Sequence, residues 1–192
     1  MKLYLIRHGE TDWNVASKIQ GKSDIPLNAN GQAQAEQLAE KLAENPLKFS
    51  KIYSSPLKRA VETADILSQQ LKLELVVAEG LKEINLGVWE GFTWPEVAEK
   101  YPLEYRQWYE NRRTTRPPAG ESYQDLLDRL LPTLVTIIAE NSQDVALVTH
   151  SAVIMTLESF LHDTPFAKMG QYKNGNTGIT EVSAEKLLAK VR

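Results

Sequence analysis

Leu3-Tyr4-Leu5-Ile6-Arg7-His8: four apolar residues run without a break into a guanidinium and an imidazole. An uninterrupted apolar run of this length is how a parallel strand covered on both faces reads, because neither side has to meet water. The same design returns at Asp144–Thr149, where a second apolar run meets His150 and Ser151. Outward from these two strands, Lys51–Ser54 and Leu73–Val77 are further strand candidates, and helical spacing fills the gaps. Asn28 can cap a helix whose Ala35, Leu38, Ala39 and Leu42 repeat at i, i+3, i+4 and i+7, with Asn45-Pro46 as its end. Ser55 and Pro56 read as N-cap and first residue of the next helix, which carries Leu57, Ala60, Val61, Ala64, Leu67 and Leu71 on one face. Shorter helical pieces fit Trp94–Asn111, a longer helix runs from about Glu121 to Asn141 with Pro132 inside it, and Ala152–Leu161 is helical. Thr177–Val182 and Leu187–Val191 are expected to close the chain as a hairpin or sheet edge. This alternation implies an α/β protein, a three-layer α/β/α sandwich with a mostly parallel central sheet.

A length of 192 residues fits a single domain, 1–192, and 42% apolar with 24% charged residues excludes fibrous and disordered classes. Twenty-two Lys and Arg against 25 Asp and Glu leave a net charge of −3, so no global basic field exists to hold nucleic acid or an anionic membrane. Any anion site must be local. The absence of Cys excludes disulfides, a thiolate nucleophile and thiolate metal sites. Met1–Ile6 is too short for the apolar region of a secretion signal, and Leu130–Ala139 and Val145–Leu157 fall short of the ~18 residues of a membrane span. The expectation is a soluble, cytoplasmic protein.

In open α/β sheets ligands gather beyond the carboxyl ends of the strands, and His8 and His150 both fall there. A lone histidine at such a place more often just ends its strand; two at equivalent ends point to a site. Arg59 is a separate oddity, because it falls in the first turn of its helix beside Lys58, where a cation opposes the helix dipole by ~0.3–1 kcal/mol. A bound dianion reverses that sign. Arg7 supplies a second guanidinium, and two such forks suit the oxygens of a phosphoryl group. Glu83 lies in a loop marked by Gly80, Gly87 and Gly91, though spacing alone does not raise it above Glu90 or Glu10 as an acid. His162, next to Asp163, reads as a surface residue.

Arg7-His8-Gly9-Glu10-Thr11, continuing to Trp13-Asn14, resembles the Arg-His-Gly-(Glu/Gln)-Thr signature of the histidine phosphatase superfamily, also called phosphoglycerate mutase-like. The resemblance continues through Gln20-Gly21, Pro26-Leu27, Ser54 to Ala60, Leu81-Lys82-Glu83, Gly87, Trp89-Glu90-Gly91, Gly120-Glu121-Ser122 and Val148-Thr149-His150. It implies a phosphoglycerate mutase-like fold and a catalytic set in which His8 accepts the phosphoryl group as phosphohistidine. Arg7, Arg59 and His150 would clamp the phosphate, and Glu83 would serve as general acid and then base. Asn14, Gln20, Gly21 and Ser151 would contact substrate, and Asn176 would support them from behind. Ser151 stands where the family commonly has Gly, which puts the local backbone in question more than the chemistry. No metal and no cofactor is implied.

The family contains mutases and phosphatases. The short stretch between Glu83 and His150 and the early end of the chain resemble the small bacterial phosphatases, broad-specificity or acting on α-ribazole 5′-phosphate. The expected function is therefore metal-independent hydrolysis of small phosphomonoesters. The alternatives are a phosphoglycerate mutase and a phosphate-binding module without turnover; a metal-dependent hydrolase is disfavoured because no local His-rich set supplies ligands. A capping segment at about 92–120 carries Arg112, Arg113 and Arg116, which could meet a second acidic group or form a solvated basic loop. Trp94, Tyr101, Tyr105, Trp108 and Tyr109 could line a substrate pocket or form core. The natural substrate and the oligomeric state are not written in the sequence.

Overall fold

The computed structural model describes residues 1–44 and 49–191. Its elements are β1 (Lys2–Arg7), α1 (Asp12–Val15), α2 (Ala29–Glu44), β2 (Ile52–Ser54), α3 (Lys58–Leu71), β3 (Leu75–Val77), α4 (Trp94–Lys100), α5 (Pro102–Glu110), α6 (Tyr123–Glu140), β4 (Val145–Thr149), α7 (Ser151–Leu161), β5 (Ile179–Ser183) and α8 (Ala184–Val191). The sheet order is β3-β2-β4-β1-β5, parallel except for β5. Leu3 to Arg7 pairs in register with Val145 to Thr149, which brings the two histidine-bearing strand ends side by side at the centre of the sheet. No helix among the described residues is long and apolar enough to cross a membrane.

Alternation along β1 divides the core. Tyr4 and Ile6 join Leu38, Ala39 and Leu42 of α2 and Ala60, Ala64 and Leu67 of α3 on one face. Leu3 and Leu5 join Leu126, Leu130 and Leu134 of α6 with Val153 and Leu157 of α7 on the other. Both faces are covered, which is why the strand needed no polar residue. Leu5 and Leu147 are fully buried, and truncating either to Ala would cost about 2–5 kcal/mol.

The helix signals hold with two corrections. Asn28 does cap α2, its Oδ1 accepting the Gly31 amide at 2.8 Å, while the Asn45-Pro46 stop lies outside the described residues. Ser55 is not the N-cap of α3: that helix starts at Lys58, and the Asp24 carboxylate accepts the Lys58 amide at 2.7 Å. Leu187–Val191 is helix, not strand. β5 pairs with β1, so no second hairpin strand is required, and Ser183 Oγ accepts the Lys186 amide at 3.3 Å to start α8, which buries Ala184 and Leu187. The long α6 begins with a capping box between Ser122 and Asp125 and continues through Pro132.

Candidate active site

His8 follows the last residue of β1, its amide donating to the Thr149 carbonyl of the neighbouring strand at 3.0 Å. Its ring is fixed by its own turn. Nδ1 lies 2.6 Å from the Gly9 carbonyl, which can only accept, so Nδ1 carries the proton and Nε2 keeps its lone pair. Burial, then the Arg59 and Arg7 charges, push the His8 pKa well below the ordinary imidazole value. The turn is held close against α2: a Cβ on Gly9 would lie 2.5 Å from the Gly31 carbonyl oxygen, so only Gly fits. Thr63 Oγ1 of α3 accepts the Gly9 amide at 3.0 Å, and Asn176 donates to the His8 carbonyl at 3.0 Å and to Asn14 Oδ1 at 3.3 Å. Asn176 thus supports the turn from behind, the place the family resemblance implies for it.

Arg59 is fully buried in the first turn of α3. Removing a guanidinium from water costs several kcal/mol unless carbonyls and carboxylates replace it. Here Nη1 and Nη2 donate to the Ser23 and Gly21 carbonyls, each at 2.7 Å. Desolvation brings its pKa down to about 10, with Glu83, Asp24 and Glu90 opposing the fall, so it stays cationic at neutral pH. The loop that supplies those carbonyls is itself pinned by Glu90, which accepts the amides of Lys22 (3.0 Å), Ser23 (3.0 Å) and Leu86 (3.1 Å) and the Ser23 hydroxyl (2.6 Å). Glu90 is therefore engaged in holding the loop, and Glu10 is taken up by Asn28 and Asn30, both at 3.0 Å. Arg7 donates through Nη1 to the Asn174 carbonyl at 2.7 Å. The Nε of Arg7 and of Arg59 are buried without a partner among the described residues.

Glu83 occupies a different position from those two acids. Among the described residues its carboxylate accepts only two amides, Ile84 at 2.9 Å and Ala152 at 3.2 Å, the latter from the first turn of α7. Burial pushes its pKa above the usual carboxylate range, against the opposing pull of those amides and of Arg59 and Arg129. His150 precedes α7 in extended conformation, fully buried, with Nε2 2.7 Å from Ser55 Oγ and its ring centre 5.3 Å from that of His8. Ser55, expected as a helix cap, is instead the partner of this imidazole. Ser151 is the first residue of α7 and has no positive φ, so a side chain is accommodated where the family commonly has Gly.

Arg7, His8, Asn14, Gln20, Gly21, Arg59, Glu83 and Ser151 line one cavity of about 510 Å³; His150 is fully buried and not among its lining residues, its ring centre 5.3 Å from that of His8. Of the three capping-segment arginines only Arg112 reaches this cavity, its guanidinium stacked 4.8 Å from the Trp108 ring and 4.5 Å from Tyr109. Arg116 is forked onto Asp125 through two 2.6 Å bonds and Arg113 donates to Gln124 at 2.9 Å, so neither faces the histidines. Trp94, Tyr105, Trp108 and Tyr109 wall the cavity, while Tyr101 packs into the core. His162 is a surface residue, 3.4 Å from Glu158.

One participant in this region had no signal in the sequence. Arg129 of α6 spends all five N–H groups on the Glu83 loop and its anchor: Nη1 on the Gly80 (3.0 Å) and Lys82 (2.9 Å) carbonyls, Nη2 on the Glu83 carbonyl (3.0 Å) and Glu121 (3.1 Å), Nε on Glu121 (3.1 Å). Nothing short of the folded chain brings residue 129 to residues 80–83.

Residues 3–190 match the family model of the histidine phosphatase superfamily (branch 1), and the chain belongs to that superfamily. It is 31% identical over 187 residues to phosphoserine phosphatase 1 of Hydrogenobacter thermophilus, covering 97% of this chain and 88% of that protein. Among solved structures, mycobacterial glucosyl-3-phosphoglycerate phosphatase superposes with a TM-score of 0.83 at 32% identity, covering 95% of this chain and 92% of that one. A phosphoserine phosphatase from Entamoeba histolytica in complex with 3-phosphoglyceric acid gives 0.82 at 35% identity, covering 94% and 89%. The chain is a phosphoric monoester hydrolase with a phosphoglycerate mutase-like fold.

Proposed function

We propose that the protein hydrolyses small phosphorylated metabolites by way of a phosphohistidine at His8, without a metal, and that its preferred esters carry a carboxylate on the leaving group. The observation that carries the mechanism is the 2.6 Å contact between His8 Nδ1 and the Gly9 carbonyl, which leaves Nε2 an unprotonated nucleophile beside two buried guanidinium groups. Nε2 attacks phosphorus, the P–O ester bond breaks, and protonated Glu83 gives its proton to the leaving oxygen. The Glu83 carboxylate then takes a proton from water, the resulting hydroxyl oxygen attacks phosphorus, and the N–P bond breaks to return the lone pair to Nε2. Arg7 and Arg59 receive the charge spread over the phosphoryl oxygens from fixed positions. Ser55 Oγ lies 2.7 Å from His150 Nε2; with the hydroxyl donating in that bond, His150 Nδ1–H, buried and without a partner among the described residues, is a neutral donor to a phosphate oxygen.

Arg112 supports the substrate class. It is a cation on the cavity wall whose Nε has no partner among the described residues, and the relatives act on or hold phosphoserine, glucosyl-3-phosphoglycerate and 3-phosphoglycerate, each a phosphate ester that also bears a carboxylate. The test is phosphate release with chelator present from O-phosphoserine, 3-phosphoglycerate, α-ribazole 5′-phosphate and fructose 2,6-bisphosphate, with acid-labile, alkali-stable label sought on the quenched enzyme. His8→Ala should abolish both signals while the protein stays folded; turnover above a few per cent in that variant would sink the assignment. Release of phosphate from none of the esters would favour a binding module instead.

A further inference from the structure

We infer that Arg129 is a positioning residue for the acid–base step, and that it acts by fixing the backbone that carries Glu83; this rests on the reading of Glu83 given above. Leaving-group protonation demands that a carboxyl proton meet one oxygen, and a displacement on the order of 1 Å at such a site can cost about 100-fold in rate. Among the described residues the Glu83 carboxylate has only two amide contacts of its own, at 2.9 and 3.2 Å. Its place is set mainly by the chain beneath it.

That chain is held carbonyl by carbonyl. Gly80, Lys82 and Glu83 each present their C=O to the single Arg129 guanidinium, and the Leu81 carbonyl accepts the Thr149 hydroxyl at 2.8 Å. Four consecutive carbonyls are thus tied, three to α6 and one to β4 just before His150. Glu121 locks the fork from the far side: it accepts Nε and Nη2 of Arg129 and the Asn85 amide at 2.9 Å, while its own amide donates to the Asn85 carbonyl at 2.7 Å. Gly80 permits the approach, since a Cβ there would lie 2.8 Å from the Arg129 carbonyl oxygen. A planar fork with five donors at fixed angles meets this pattern of acceptors; an ammonium, with three, does not. Arg129 also acts through its charge, lowering the Glu83 pKa that burial raises.

The experiment compares Arg129→Met, Arg129→Lys and Glu121→Gln with Glu83→Gln as reference. Each is assayed on p-nitrophenyl phosphate, whose leaving group needs no proton, and on 3-phosphoglycerate or O-phosphoserine, whose leaving alkoxide does. Arg129→Met should lower kcat on the alkyl ester by about 30-fold or more with KM within about threefold, and lower kcat/KM on the aryl ester by less than about fivefold. The alkaline limb of its pH profile should move up, because a cation that favoured the ionised carboxylate is gone. Arg129→Lys should recover part of the alkyl-ester rate. If Arg129→Met does not fold, Glu121→Gln, which loosens the fork but keeps the arginine, should show the same selectivity at about fivefold. Equal losses on both esters in these variants, beside a selective Glu83→Gln, would overturn the proposal alone. Equal losses of kcat/KM on both esters in Glu83→Gln itself would overturn the role of Glu83 as leaving-group acid and this proposal with it.

Discussion

At the histidine end of the cavity Arg59 is fully buried, with two of its nitrogens already on carbonyls of a loop that Glu90 pins through three bonds. On the aromatic wall of the same cavity Arg112 lies against the faces of Trp108 and Tyr109, its Nε without a partner among the described residues, with Trp94 and Tyr109 half-exposed. The first guanidinium is oriented before substrate arrives, so its stabilisation of developing charge requires no reorganisation. The second is held by stacking, which fixes its plane but leaves its donors available. Under the proposed function chemistry falls to Arg59 and selection to Arg112, two sites of different rigidity, and substitutions at the two should read out in different kinetic constants.

The sharpest division should come from Arg59→Ala. It removes a fixed donor and leaves the Gly21 and Ser23 carbonyls without partners, so kcat/KM should fall by about 100- to 1000-fold on every ester alike. An unchanged kcat/KM on any ester would remove Arg59 from the phosphate end and dissolve the comparison. The pH profile follows from the same end. His8 must be neutral to attack, and its lowered pKa keeps it so well below pH 6.5; Glu83 must be protonated, and its raised pKa keeps it so above pH 4.5. Activity should therefore persist on the acid side of the ordinary imidazole range and decline by up to about tenfold per pH unit once Glu83 ionises. That decline should appear on O-phosphoserine or 3-phosphoglycerate and be weak on p-nitrophenyl phosphate, whose leaving group needs no proton. An acid limb centred on an ordinary imidazole value would contradict the buried, neutral His8.

The rigid end was the legible one. Val145–Thr149 and Leu3–Ile6 announce buried parallel strands because both faces are apolar, and their register delivers His8 and His150 to one place. Arg59 betrayed itself as a cation where the helix dipole disfavours one. Interactions that depend on long-range folding left no such trace. Arg129 is one more arginine on an amphipathic helix until α6 lies across residues 80–83. Ser55-Pro56 has the composition of a helix start, yet the serine is drawn to His150 by a contact across 95 residues, and Asp24 caps the helix in its place. Leu187–Val191 looked like strand because a short apolar run fits either period; the Ser183 cap and the burial of Ala184 and Leu187 three apart decide for helix. Arg112, Arg113 and Arg116 were indistinguishable until Asp125 and Gln124 took two of them.

Arg112→Ala tests the adaptable end. KM for O-phosphoserine or 3-phosphoglycerate should rise by about 10-fold with kcat within about threefold, while p-nitrophenyl phosphate, which has no carboxylate, should be nearly unaffected. A matching loss on both classes would mean that Arg112 supports the aromatic wall rather than the substrate. Steady-state kinetics on the three esters is enough to decide.

Ser151→Gly should produce the smallest change, and its size bears on where the fixed end of the cavity stops. Position 151 starts α7 without a positive φ, so the flexibility that glycine offers is not needed there. Glycine would instead lower helix stability by about 0.5–1 kcal/mol. If Ser151 serves phosphate through its backbone amide, as the neighbouring Ala152 amide serves Glu83, removing the hydroxyl should leave kcat/KM within about threefold while thermal melts fall slightly. The Ser151 hydroxyl is nevertheless buried at the cavity wall without a partner. A loss above about tenfold, reproduced by Ser151→Ala, would make that hydroxyl a donor to phosphate and extend the preformed set of donors into α7.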